Sequence, residues 1–285
     1  MISKQYPLVL IFLLLGFRTA DAQPEVFTNS IGMEFVPIRA GTLVVGRFQP
    51  PYPVPGDTVK NALRSIVMWM GDGRRYNEKE FQLARDLAVR DSRPGFQVSI
   101  TRDYYIGRYE VTQSQWRRVM GTNPSIFSHA GNAGSHPVEN VSWKDAQAFV
   151  KRLNRLEKTR RYRLPTEFEW EYAARAGSVI DIPWNDINAT AQLGKQATQA
   201  VGGKKPNAWG VYDMLGNVWE WVQDCYNEKI FADPAPPRKG KEHVLKGASI
   251  SGDVKNATYM THAAGPGNGW DVGFRIVMER EEKKR

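Results

Sequence analysis

Asp213 and Glu220 flank Gly216 and Val218 in the stretch DMLGNVWE. A hard cation such as calcium takes oxygen ligands and mixes carboxylates with backbone carbonyls. A turn at Leu215-Gly216-Asn217 would bring two carboxylates and two carbonyls around one ion; the same two acids would equally serve to cap a turn. The histidines, His129, His136, His243 and His262, do not pair at H-x-H or H-E-x-x-H spacing, so the common zinc-hydrolase motif is absent. No G-x-G-x-x-G or G-K-S/T segment is present to cradle a phosphate. GASIS at 247–251 is not a nucleophile elbow, because Ser251 stands where the last glycine belongs. The single cysteine, Cys225, excludes an intramolecular disulfide, a C-x-x-C pair and a multi-cysteine zinc site. With Asp224 beside it and no helix start before it, Cys225 reads as a structural thiol.

The 285 residues carry 39 Lys+Arg against 30 Asp+Glu, a net charge of +9. With 41% apolar residues and abundant Trp, Tyr and Phe, the chain buries enough to fold and is not intrinsically disordered. Residues 1–22 read as a signal peptide: Lys4 is the positive n-region, Pro7–Phe17 the apolar h-region and Ala20-Asp21-Ala22 the cleavage site, predicting an exported, periplasmic protein. No transmembrane segment is expected after cleavage. A basic surface outside the cytoplasm points to an acidic partner, and nucleic acid is not expected.

These residues need positioning. Two short strands are expected around Ala40-Gly41, with further strands at Phe96–Ile100, Asp103–Tyr109, Val244–Ile250 and Gly273–Met278. Helical patterns run over Val59–Met70 and Asn77–Val89. Three later helices carry start signals: Thr112 with Gln115 and a stop at Gly121; Ser142 ahead of Trp143 to about Glu157; Thr166 with Glu169 and a stop at Gly177. The middle helix has an apolar stripe of Ala146, Phe149, Val150, Leu153 and Leu156. Its other face sets Lys151, Arg155 and Lys158 in a row, either a solvated face or a docking surface for an anionic partner.

The segments YYIGRYEVTQSQW (104–116), HPVENVSWKDAQAFVKRLN (136–154), YRLPTEFEWEYAARAG (162–177), PNAWGVYDMLGNVWEW (206–221), VLKGAS (244–249) and GFR (273–275) occur in an order and spacing that resemble the formylglycine-generating enzyme, or sulfatase-modifying-factor, family. The resemblance covers nearly all of residues 31–278. It implies a single α+β domain, 23–285, of the formylglycine-generating-enzyme fold, C-type-lectin-like and low in regular secondary structure. The segment at about 48–92 is an insertion relative to typical members. The resemblance also implies a structural calcium at Asp213, Gly216, Val218 and Glu220. A weaker second site falls at Asn188, Ala189, Gly202 and Lys204, where Gly202 replaces the family's carboxylate.

The departures govern function. The family's oxidases bind copper through two cysteines after the G-G-S motif. The matching positions here lie near Gly252 and Ala257, neither a thiol. Soft thiolates hold Cu(I), so copper-dependent formylglycine generation is not expected, and neither copper nor iron is. The first reading is a non-catalytic exported regulator binding an envelope protein. The resemblance supplies one example, the periplasmic domain of a transmembrane Ser/Thr kinase controlling type VI secretion. The second is a cysteine-independent enzyme maturing a secreted peptide or siderophore. Its groove would hold Ser249, Ser251, Asp253, Tyr259, His262 and Arg275, with Asp253 and His262 as base and acid if they converge. The third is a lectin-like carbohydrate binder, for which Trp270 and Trp184 would be exposed.

Overall fold

The computed structural model describes residues 25–45, 96–129, 131–179, 187–227, 230, 239–252, 258–259, 261–265 and 267–280. The expected signal peptide, the helices at Val59–Met70 and Asn77–Val89, Asp253, Ala257 and Trp184 lie outside these residues.

The three helix starts form as their sequences require. Helix α1 (Gln113–Met120), α2 (Trp143–Glu157) and α3 (Glu167–Arg175) each open on a reciprocal capping box, with Thr112, Ser142 and Thr166 accepting from the backbone N–H three residues on. Each cap satisfies donors that the helix cannot and contributes about 1 kcal/mol. Gly121 closes α1 in the left-handed region, φ 80°. Ala146, Phe149, Val150 and Leu153 of α2 are buried. Leu156 is a correction to the expected stripe: it is 57% exposed, because the last helical turn overhangs the core. A fourth, short helix, α4, spans Ile187–Thr190.

Eleven strands make three sheets among the described residues. The first sheet runs β1 (Phe27–Thr28), β2 (Glu34–Ile38), β5 (Tyr104–Gly107), β11 (Val277–Glu279), β6 (Tyr162–Arg163), all antiparallel. Asn154 of α2 takes the free edge of β6, bonding both the N–H and the C=O of Tyr162. The second sheet runs β10 (Val272–Gly273), β7 (Trp219–Cys225), β8 (His243–Lys246), β9 (His262–Gly265). Strands β3 (Gly41–Val45) and β4 (Phe96–Ile100) form a hairpin-like pair.

Two expected strands are shorter than their apolar runs. Strand β8 stops at Lys246, because Gly247 and Ala248 take positive φ (90° and 63°) and turn the chain. The run Gly273–Met278 is divided between β10 and β11, so Phe274-Arg275-Ile276 crosses from the second sheet to the first. That crossing carries Arg275 into the interior.

Two packed cores flank the crossing. In one, Trp116 stacks on Phe149 at 5.5 Å and Phe274 meets both edge-on. In the other, Trp170 packs among Met214, Leu215 and Val222. The tryptophans also hold backbone: Trp221 Nε1 donates to the Val141 carbonyl and Trp143 Nε1 to that of Val222, each at 2.9 Å. The aromatic-dense 207–221 stretch is thus loop up to Val218 and strand from Trp219, fixed by buried rings. No helix of the described residues is long and apolar enough to cross a membrane.

Candidate functional site

At the sheet crossing, Arg275 meets Glu220 with two parallel contacts of 2.6 Å, from Nε to Oε2 and from Nη2 to Oε1. Both side chains are buried. Arg275 also donates to the carbonyls of Gly107, Tyr212 and Asp213, and Trp170 Nε1 adds a 2.7 Å bond to Glu220 Oε2. Arg275, expected to line a groove, is instead fully enclosed, because the crossing segment lies between the two sheets.

The loop Asp213–Val218 wraps this pair. Asp213, Gly216 and Asn217 all have positive φ. Asp213 Oδ2 accepts from the Gly202 amide at 2.5 Å, while its Oδ1 is buried without a hydrogen bond. Glu110, unflagged by the sequence, enters from the loop before α1. Its Oε2 accepts from Asn217 Nδ2 and its Oε1 is likewise buried and unbonded. Burial, then the Asp213 and Glu220 carboxylates, push Glu110 well above the usual carboxylate range. Burial also raises Asp213. Three buried acids thus face one arginine. Two orphaned carboxylate oxygens, on acids whose ionisation burial opposes, suit a hard cation that would stabilise their charged forms. Among the described residues, no group of three or more His, Cys, Asp or Glu side chains forms a metal cage by itself, so an ion here would also need backbone carbonyls.

The second expected ligand set differs. The Ala189 carbonyl accepts the Lys205 amide at 2.9 Å, and Gly202 gives its N–H to Asp213. A Cβ at Gly202 would lie 2.8 Å from the Tyr109 ring, on backbone at φ +75°, so an acid there would have to displace that ring. Asn188 lies on α4 and Lys204 in the following loop. No side-chain carboxylate joins this set.

The remaining groove candidates separate. Ser249 and Ser251 both donate to Asp271 Oδ2, at 2.7 and 3.2 Å; Asp271 follows Trp270, which is 39% exposed. Tyr259 lies under the Arg175 guanidinium. His262 stands on β9 with Nδ1 3.2 Å from Glu167 Oε1, an off-axis ion-pair contact. From there the buried charges alternate: Glu167 to Lys246 (3.8 Å), Lys246 to Glu171 (3.3 Å), Glu171 to Arg175 (2.8 Å). Burial works against ionisation of Glu167, yet His262 and Lys246 hold it below the usual range. Asp224 accepts the Glu167 amide at 2.6 Å, and burial lifts its carboxyl to about 6. Asp224 and Asp271 lie outside the motif segments and Glu167 lies within one without a marked role; only the fold brings them to these positions. Lys151, Arg155 and Lys158 are all exposed on α2 or at its end.

A family profile for the sulfatase-modifying factor enzyme 1-like domain matches residues 54–280. The chain belongs to this family. The formylglycine-generating enzyme of Mus musculus is 34% identical over 163 residues, 49% of this chain and 41% of that one. The inactive C-alpha-formylglycine-generating enzyme 2 of Mus musculus is 32% identical over 198 residues, 61% of this chain and 58% of its own. The serine/threonine-protein kinase pkn1 of Chlamydia pneumoniae is 32% identical over 155 residues, 50% of this chain and 24% of its own. The chain thus spans between a quarter and three fifths of these relatives. The solved structure of PvdO from Pseudomonas aeruginosa shares the fold, with a TM-score of 0.66, 24% identity, 92% of this chain and all of that one covered.

The protein's one thiol, Cys225, lies at the end of β7, packed against Gly240. Gly252 stands near one of the two positions where the resemblance expects a thiol, its amide bonded to the Ser249 carbonyl.

Proposed function

We propose that this protein is a non-catalytic, exported regulator that uses the sulfatase-modifying-factor scaffold to bind an envelope protein. One observation carries this reading: the whole chain has one cysteine, and it sits on β7 rather than after Ser249, so no thiolate pair exists to hold Cu(I). The similarity to a relative named inactive supports it. The similarity to part of a serine/threonine kinase supports a kinase as the class of partner, here the periplasmic domain of a transmembrane kinase acting on type VI secretion.

Calcium is proposed as a structural staple. Asp213, the Gly216 and Val218 carbonyls and Glu220 would hold it, Glu220 by sharing oxygens now bonded to Arg275 and Trp170, and the unbonded oxygen of Glu110 would become ionised as the ion binds. The ion would balance acids that Arg275 alone does not.

The test has two arms. A cysteine-containing peptide incubated with the protein, Cu(I) and dioxygen is expected to keep its mass, and a formylglycine product would overturn the reading. A photocrosslinker introduced at surface positions in cells is expected to capture an envelope protein.

The contact between His262 and Glu167 favours a second reading, acid–base chemistry without thiols. Turnover lost in His262→Gln with the fold intact would put that reading first.

A further inference from the structure

The loop after α2, strand β6, the start of β5 and the end of β11 enclose a recess of about 790 Å³ lined by six basic and three acidic residues. All three acids are already engaged. Asp103 accepts from Arg39, Arg280 and the Ala40 amide; Glu169 holds Arg163 at 2.6 and 2.7 Å; Glu279 meets Arg163 at 3.2 Å and Arg161 at 3.5 Å. The surplus is positive and reaches solvent through Lys158 and Arg161.

A second recess of about 860 Å³ shares Asp103, Tyr104, Arg160 and Arg280 with the first. Its other walls are largely apolar or aromatic, including Phe27, Ile38, Tyr105 and Trp209. Arg160 marks the join, its guanidinium 4.4 Å from the centre of the Phe27 ring. The two recesses are one groove with a cationic half and an aromatic half, each of a size that holds a ligand. None of its lining residues belongs to the Ser249–Ser251–Asp271 or His262–Glu167 clusters.

We infer that this groove is the docking site of the binding protein proposed above, and that it takes an extended acidic polypeptide segment bearing aliphatic or aromatic side chains. The inference rests on that reading. Carboxylates suit the guanidinium forks at the cationic half, and apolar side chains suit the Phe27–Trp209 half. A flat membrane surface does not enter a recess, and a purely anionic polymer leaves the aromatic half unused. Of the basic row on α2, Lys158 lines the groove while Lys151 and Arg155 do not.

Fluorescence anisotropy tests this with the full chain and a short labelled peptide alternating Glu or Asp with Leu or Trp. Lys158→Glu combined with Arg161→Glu is expected to weaken binding about tenfold, two exposed ion pairs' worth. Lys151→Glu with Arg155→Glu, equally exposed but outside the groove, is expected to leave binding within about twofold. A peptide with its acids changed to Gln and Asn, or its Leu and Trp changed to Ser, should bind weakly. Equal losses for the two variant pairs would overturn the proposal. So would undiminished binding of either altered peptide, or tighter binding of an oligouronate or of phosphatidylglycerol vesicles. In cells, a photocrosslinker at Arg161 should label an acidic, apolar-containing segment of an envelope protein. Labelling at Trp270 but not Arg161 would overturn the groove and leave the binding function standing. Labelling at neither would overturn both.

Discussion

Arg275 grips Glu220 through two 2.6 Å contacts in the segment that joins the two main sheets. The pair is buried, and Arg275 also ties down three backbone carbonyls, one at the end of β5 and two in the loop at Tyr212-Asp213. Arg275→Met would strand the Glu220 carboxylate and free those carbonyls. A loss of roughly 3–5 kcal/mol is expected by urea denaturation; a change below about 1 kcal/mol, the scale of an exposed pair, would contradict the role assigned to it.

Calcium should raise the melting temperature of the protein and a chelator should lower it, because an ion bound to the native state alone stabilises by mass action. Asp213→Ala should both lower stability and abolish the calcium response. Identical melting in calcium and chelator, for wild type and variant, would remove the proposed staple.

Gly216 has φ +85°, and a Cβ there would lie 2.2 Å from the Gln192 carbonyl. Gly32 has φ +77° but open space around it. Gly216→Ala should therefore cost at least about 2 kcal/mol and Gly32→Ala only about 1 kcal/mol, the conformational strain alone. Equal costs in denaturation would show that the 213–218 loop is not clamped.

Asp224 gives a pH dependence of defined sign. Its folded carboxyl is raised from 3.8 to about 6. Below the unfolded value both states are protonated and there is no penalty. As pH climbs from about 4 to about 6, the unfolded state has released its proton while the folded state still holds it, so the penalty builds across that window and is constant above it. Asp224→Asn keeps an acceptor for the Glu167 amide and removes the titration. Relative to wild type it should gain about 2–3 kcal/mol between pH 4 and pH 7. A difference that does not change with pH would show that Asp224 titrates normally.

Local signals in the sequence were legible and long-range ones were not. Thr112, Ser142 and Thr166 announce their helices because a cap acts within one turn of chain. The motif segments announce the family because they keep order and spacing. Apart from the i,i+4 pair Glu171–Arg175 on α3, the partners of the buried charges leave no such trace. Glu167 meets His262 across most of a hundred residues, Glu110 reaches Asn217 over a similar span, and nothing within a few positions of any of them marks the pairing. Arg275 reads as a groove residue until the chain is seen to change sheets at Phe274-Arg275-Ile276. Leu156 keeps the apolar period of α2 past the point where there is core beneath it.

Elemental mass spectrometry of the purified protein, after exposure to Cu(I) and dialysis, tests the central claim most directly. A scaffold without a thiolate pair, stapled by a hard cation, predicts about one equivalent of calcium and no retained copper or iron. Stoichiometric copper or iron would show that other side chains have rebuilt a redox centre, and would contradict the non-catalytic account.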